Sequence, residues 1–265
     1  MGSLWADVLS PAFWVAAGQI IGINIILSGD NAVVIALACR MLPPKERFWG
    51  MILGAGVAVL LRIVFTLVVA QAMAYPFLKL VGGILLLWVA VKLVVPEEDE
   101  GEGKVAAADN LWRAVRIVAI ADIVMSLDNV IAIAASADIA AARVDAAHAA
   151  AIKTTLIIFG LATSVPLIIA GSAILMALLD RYRVLVWAGG ALLGWVAGDI
   201  MAKDSALERV LTPDQIHTLH YWAAAAGAVF VLAMGYWLRQ YQHKKLLEAP
   251  LVVDPPGPEE FPHKR

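Results

Sequence analysis

Two eight-residue segments place similar polar residues at the same spacing inside long apolar runs. The first segment covers residues 24–31 and reads NIILSGDN, and the second covers residues 122–129 and reads DIVMSLDN. A carboxylate at the centre of a bilayer costs about 2.5–3.5 kcal/mol even on the lenient insertion scale, so such residues are rare and usually functional. The costly feature occurs twice at one spacing, which indicates a site that both segments build.

The polar groups of the two segments are all oxygen donors that could hold a cation. The candidate ligands are Asp30, Asp122 and Asp128, with the amide oxygens of Asn24, Asn31 and Asn129, and Asp199 near the end of a later apolar run. Coordination by oxygen alone suits Mg²⁺, Ca²⁺ and Mn²⁺ and argues against Zn²⁺ or Cu⁺. The same carboxylates could instead carry protons, and hydrogen bonding between helices is the structural alternative for the amides.

Arg62 lies near the middle of another apolar run. It could be the counter-ion that holds an empty acidic site together, or it could reach a carbonyl or the membrane surface. Gly29 permits a helix to open locally, and Ser28 and Asp30 are good caps for a half-helix that follows. We therefore expect a broken helix in the first segment. The second segment has Leu127 at the glycine position, so a break there lacks this support.

The composition excludes an ordinary soluble protein. Hydrophobic residues make up 62% and charged residues 16% of the chain, and the mean hydropathy is +0.81. Apolar runs of 18 or more residues recur, each long enough to cross a hydrocarbon layer of about 30 Å. The sequence predicts an all-α polytopic membrane protein. Its seven predicted transmembrane helices cover about 12–39, 48–74, 77–95, 111–137, 152–179, 184–202 and 219–241.

An internal repeat extends beyond the two polar segments. Residues 80–90 resemble residues 187–197, both with a Gly-Gly pair that predicts close helix packing, and this alignment sets Lys92 opposite Asp199. A unit of three spans inserts its two copies in opposite orientations, and inverted repeats place a substrate site at their interface near the bilayer midplane. We therefore predict two inverted three-helix repeats and one extra helix, at about 12–95, about 111–202 and about 219–241.

The distribution of positive charge predicts the orientation. Of the 20 Lys and Arg residues, fourteen fall on the side that holds the C-terminus, five fall on the other side, and Arg62 lies in a span. The N-terminus is therefore expected outside and the C-terminus in the cytoplasm. Residues 1–245 are treated as a single transmembrane domain, with 246–265 a disordered cytoplasmic tail. The acidic run 97–102 is interpreted as a solvated linker, with cation collection as the alternative.

The motifs resemble those of a known family. Residues 28–36 (SGDNAVVIA) and 126–130 (SLDNV) look like the paired motifs of the TerC family of bacterial membrane proteins, and INIILSGDN is similar to its YjbE-like branch. The resemblance covers residues 10–240 and implies a divalent-metal transporter in the bacterial cytoplasmic (inner) membrane, with manganese export favoured. It implies metal ligands at the motif Asp and six positions before it. These positions are Asp128 with Asp122 and Asp30 with Asn24, where Asn24 departs from the acidic residue of many relatives.

The expected function is therefore manganese export by alternating access, with Ca²⁺ or Mg²⁺ also suited to the oxygen ligands. We expect a divalent ion and the lipid bilayer as partners, no tightly bound cofactor and no nucleic acid, while homo-oligomer formation stays open. The alternatives are an accessory protein that supplies metal to exported enzymes and an intramembrane metal-dependent hydrolase. The sequence favours a protein that is not an enzyme, because its spans show no basic cluster for phosphate and no Ser–His pair.

Overall fold

The protein is built from helices. The computed structural model describes residues 7–69, 75–95, 104–145 and 148–248, and these contain no strand. The all-α prediction is confirmed. The helices are α1 (Pro11–Ile26), α2 (Gly29–Cys39), α3 (Pro44–Val64), a π-helix (Phe65–Val69), α4 (Leu78–Val94), α5 (Lys104–Val144), α6 (Ala149–Thr163), α7 (Val165–Arg181), α8 (Val184–Ala202), α9 (Ser205–Glu208) and α10 (Pro213–Glu248).

Two predicted segments fall wholly or mostly outside the described residues. The acidic run 97–102 is one, and residues 249–265 of the expected tail are the other. Helix α10 continues to Glu248, so the first three residues of that expected tail are helical.

Several of these helices can cross a membrane. In the described residues four stretches are long and apolar enough, and two bent pairs raise the number to six. Helix α4 has 17 residues and is about 26 Å long at ~1.5 Å per residue, somewhat short of a hydrocarbon layer of ~30 Å. The chain is therefore a multi-pass helical membrane protein, and the count of seven spans stays a prediction. The four stretches are Pro44–Leu67, Ala149–Arg181, Val184–Leu207 and Asp214–Lys244.

The first polar segment breaks its helix, as predicted. Helix α1 ends at Ile26, α2 begins at Gly29, and their axes differ by 50°. Ser28 stands at the cap position but makes no side-chain cap. Its hydroxyl is bonded instead to Asn24 and Arg62, so the capping role expected for Ser28 is wrong. The second segment also bends, by 59° between Ser126 and Asn129, although it has no glycine there.

The helices pair in a pattern that two related halves would give. Helices α1 and α2 pack on α6 and α7, and α3 packs on α5. Helix α4 packs on α8, and α10 lies against both. The first three predicted spans are formed by α1 with α2, by α3 and by α4, and the next three by α5, by α6 with α7 and by α8. If each span is exchanged with its counterpart, the same pairs of spans are in contact, as a two-fold relation between the halves requires. The inverted repeat itself stays a prediction.

Glycines allow the closest of these contacts, as the two Gly-Gly pairs predicted. A Cβ at Gly83 of α4 would lie 2.8 Å from the carbonyl oxygen of Ala197 in α8. Helices α8 and α10 approach still more closely, because Gly194 and Gly198 face the backbone of α10 around Gly227. Small residues at these positions let the backbones meet, which is how helices pack in a membrane.

Asp204 ties the end of α8 to the start of α4. The side chain is fully buried, and its Oδ1 accepts hydrogen bonds from the backbone N–H groups of Phe77 and Ala206, each at 2.8 Å. Its Oδ2 accepts from the N–H groups of Lys79 and Leu80 at 3.0 and 3.1 Å. Phe77 has a left-handed backbone with φ 68°, which this carboxylate helps to hold.

Replacing Asp204 with Ala is therefore expected to destabilise the protein by about 3 kcal/mol or more, since several N–H groups lose a charged acceptor. Thermal unfolding of the detergent-solubilised protein measures the effect. Asp214→Ala, at an exposed position in the first turn of α10, is the matched control. Equal melting temperatures for the two variants would show that Asp204 does not hold α4 and α8 together.

Candidate functional site

Arg62 joins the two polar segments through its guanidinium group. It lies in the last turn of α3 and is only 1% exposed. Its Nη1 donates to Asn24 Oδ1 at 3.0 Å and to Ser28 Oγ at 2.7 Å, both in the first segment. Its Nη2 donates to Asp122 Oδ1 at 3.0 Å and its Nε to Ser126 Oγ at 3.3 Å, both in the second. Of the roles considered for Arg62, the structure shows the counter-ion.

Each segment also bonds internally in the same way. Ser28 Oγ donates to Asn24 Oδ1 at 3.2 Å, and Ser126 Oγ donates to Asp122 Oδ2 at 3.2 Å. The spacing i, i+4 places each pair on one helix face. One difference matters for charge, because the first pair is neutral and the second carries a carboxylate. Among the described residues, therefore, the positive charge of Arg62 directly contacts one negative charge, that of Asp122.

Ser164 is a part of the site that the sequence analysis missed. It lies buried between α6 and α7, accepts a hydrogen bond from Asn24 Nδ2 at 2.7 Å and donates to Gly160 O at 2.9 Å. The Asn24 amide nitrogen is thus engaged, so its oxygen is left to face Arg62. Pro166 predicts an interruption of the helix near Ser164, but the contact of Ser164 with Asn24 depends on the packing of the helices.

The remaining motif residues surround the break between α1 and α2. Asp30 is half-buried, accepts a hydrogen bond from the Asn31 N–H at 2.8 Å, and lies close enough to Arg62 to interact electrostatically. Asn31 is buried, and its Nδ2 has no hydrogen-bond partner among the described residues. Asn129 Nδ2 donates to Leu27 O at 3.1 Å, which fixes the second segment against the break in the first. The side chain of Asp128 lies outside the described residues, so its predicted place is untested.

Asp199 lies in a different group. Its carboxylate pairs with Lys203 Nζ at 2.6 Å and with His220 at the start of α10. Neither of these two contacts is with the residues around Arg62. Asp199 lies near the end of α8, whereas Asn24 and Asp122 lie within their spans. Its role as a ligand of the central ion stays a prediction.

A second group of side chains, away from Arg62, could also hold a metal ion. Asp7, Asp145 and His148 place ligand atoms within 4.8 Å of one another, and His148 Nδ1 lies 2.7 Å from Asp145 Oδ2. Asp7 precedes α1, and Asp145 and His148 lie between α5 and α6. The group is therefore at the ends of these helices and distant from the two polar segments. The polar groups around Arg62 are instead amide, hydroxyl and carboxylate oxygens that already face a cation.

Fold and site together define a multi-pass membrane protein with a buried polar centre. Residues 9–243 match the model of the integral membrane protein TerC family, and the chain belongs to this family. It is 40% identical over 188 residues to the uncharacterized membrane protein YjbE of Bacillus subtilis strain 168, which covers 71% of this chain and 79% of that one.

More distant relatives share about half of the chain. The identity to YceF of the same organism is 27%, over 49% of this chain and 54% of that one. The identity to the inner membrane protein YoaE of Escherichia coli K12 is 30%, over 47% of this chain and 27% of that one. No solved structure matches the chain.

Proposed function

We propose that the protein transports a divalent metal ion across the bacterial cytoplasmic membrane, and that it exports manganese. The observation that carries this proposal is the convergence of oxygens from both polar segments on one buried positive charge, Arg62. The negative charge of the Asp122 carboxylate inside a membrane requires a cation to balance it, and the neutral oxygens beside it are further donors to that cation. The guanidinium is that cation when no metal is bound.

The donor chemistry supports Mn²⁺ as the substrate. Carboxylate and amide oxygens suit Mn²⁺, Mg²⁺ and Ca²⁺, and no histidine or cysteine contacts Arg62 among the described residues. The ion would replace the guanidinium as the partner of these oxygens, so Arg62 would have to withdraw as the metal enters. The proposed ligands are Asp30, Asp122 and Asp128, with Asn24, Asn31 and Asn129.

The burial of the site supports transport by alternating access. Asn24 and Ser126 are fully buried and Asp122 is 3% exposed, so a metal ion reaches them only when the helices move. The break at Gly29 and the bend after Ser126 are places where each span could change its angle. Rocking of one predicted repeat against the other would then open the site to alternate sides.

The hydroxyl groups favour transport over catalysis. Ser28 and Ser126 donate to Asn24 and Asp122 and accept from Arg62, and no base other than Asp122 contacts either of them in the described part of the chain. A hydrolase would need an activated nucleophile with a free approach to its substrate. The alternative of supplying metal to exported enzymes requires a partner protein, which would copurify with the chain.

The proposal is tested by the manganese content of cells. In a strain without another manganese exporter, the wild-type protein should lower cellular manganese after a manganese load, and Asp30→Asn should not. Asp214→Asn, at an exposed position on α10, should behave like the wild type. Elemental analysis of the same cells for calcium, magnesium and manganese identifies the ion. If cells that express the wild type and cells that carry an empty vector contain equal amounts of manganese, the proposal is contradicted.

A further inference from the structure

Four arginines from four parts of the chain line one cavity, which we call the arginine cavity. Its volume is about 390 Å³, and Asp180 is the one acidic residue among the described residues that line it. It lies at the end of the molecule where α2 ends and α8 begins, opposite the end that holds Asp204. The four are Arg40 after α2, Arg47 in the first turn of α3, Arg183 before α8 and Arg239 in α10.

The bonds made within the described part of the chain do not use all of this charge. Arg47 pairs with Asp180 at 2.7 Å and also donates to a backbone carbonyl. Arg40 donates through Nη2 to Leu93 O at 3.2 Å, while its Nε is buried with no hydrogen-bond partner among the described residues. The charge of Arg239 also repels that of Arg40, and the carboxylate of Asp180 attracts it. Excess positive charge and a buried unused donor both suit the binding of an anion.

We infer that the arginine cavity binds the phosphate group of an anionic phospholipid. Guanidinium groups bind phosphate through paired, charge-assisted hydrogen bonds, and several of them converge here. Basic pockets between membrane helices at the level of the headgroups bind such lipids. The volume lies within the ~300–1,000 Å³ that is typical of small-molecule sites.

The surface beside the cavity favours a lipid over a free phosphate ion. Val184 follows Arg183 directly and is 70% exposed, and Tyr236 lies one helical turn before Arg239 and is 59% exposed. Acyl chains that leave the cavity could therefore run along exposed apolar side chains of α8 and α10. A free phosphate ion would gain nothing from these contacts. This inference does not depend on the proposal of metal transport.

The test uses the full chain, purified in detergent and freed of lipid. Thermal unfolding is followed by tryptophan fluorescence while phosphatidylglycerol, phosphatidylcholine or inorganic phosphate is added. Phosphatidylglycerol should stabilise the wild type more than phosphatidylcholine does. Its apparent affinity should fall about fivefold or more in Arg239→Gln and in Arg40→Gln.

Arg181→Gln is the matched control, because Arg181 lies at the same end of the molecule, packs on Tyr182 and does not line the cavity. It should keep the wild-type preference. Arg239 is exposed, so Arg239→Gln tests the inference even where Arg40→Gln unfolds. The inference is overturned by equal effects of both lipids, by an unchanged preference in Arg239→Gln, or by inorganic phosphate stabilising as much as phosphatidylglycerol.

Discussion

Replacing Asp122 with Asn is expected to abolish manganese binding at the central site. The substitution keeps the shape of the side chain but removes the carboxylate of Asp122, which contacts Arg62 directly at 3.0 Å. Changes to groups that only support a metal ligand already reduce affinity by ~10–100-fold, so the loss of a proposed ligand should reduce it further. Titration of the purified protein with Mn²⁺, followed by the electron paramagnetic resonance of the free ion, measures the affinity.

A control separates this effect from a general change in charge. Asp138 lies on the same helix α5, is 59% exposed and pairs with Lys153 at 2.7 Å, so Asp138→Asn should bind manganese like the wild type.

Asp122→Asn also leaves a buried guanidinium without its anion, which is expected to destabilise the fold by about 3–5 kcal/mol. Asp30→Asn keeps an oxygen acceptor for the Asn31 N–H and serves as the variant that preserves the fold. Wild-type affinity in folded Asp122→Asn would contradict the site.

Replacing Arg62 with Gln should lower the stability of the metal-free protein and increase its response to manganese. Without the guanidinium, buried Asp122 loses its counter-ion at an expected cost of about 3–5 kcal/mol. A divalent ion would then neutralise the site without first displacing Arg62. A ligand whose free concentration is a hundred times its dissociation constant stabilises a protein by ~2.7 kcal/mol, so the rise in melting temperature that manganese causes is measurable.

The comparison for this variant is Arg116→Gln. Arg116 lies on an exposed face of α5 and donates to Trp112 O within its own helix. Its replacement should therefore change neither the stability of the metal-free protein nor the stabilisation by manganese by much. Two results would count against the role given to Arg62. One is a metal-free melting temperature equal to that of Arg116→Gln, and the other is a folded Arg62→Gln protein that manganese does not stabilise.

Local chemistry explains why part of the site could be predicted from the sequence. Gly29 has no side chain to oppose an opened backbone, so the break at that position follows from residue type alone. The i, i+4 spacing of Asn24 and Ser28, and of Asp122 and Ser126, likewise fixes a shared helix face. These features depend on neighbours along the chain, which the sequence displays directly.

Other parts depend on contacts that the sequence does not display. Arg62 could pair with any buried oxygen, and only the packing of α3 on α5 brings it to Asp122. Ser164 became visible only when α6 and α7 packed on α1 and α2. The bend after Ser126 occurs without a glycine, so packing overrides residue preference there.

Lys92 and Asp199, which the repeat alignment sets opposite each other, lie apart in the structure. Asp204 bonds to the backbone at the start of α4, so the end of α8 meets the start of α4. Lys92 is near the far end of α4, where it lies 4.8 Å from the Trp88 ring, while Asp199 pairs near the end of α8. Lys92 and Asp199 therefore lie at opposite ends of the paired helices, which is the placement that the predicted inverted repeat requires.

Flux of Mn²⁺ through the purified protein in sealed liposomes is the most direct test of the central proposal. A manganese-sensitive dye inside the vesicles reports entry of the ion. Transport through the buried polar centre predicts entry with the wild type and with Asp138→Asn, and none with Asp30→Asn or Asp122→Asn. Folded wild-type protein that admits no manganese, or an Asp122→Asn protein that admits it as fast as the wild type, would contradict it.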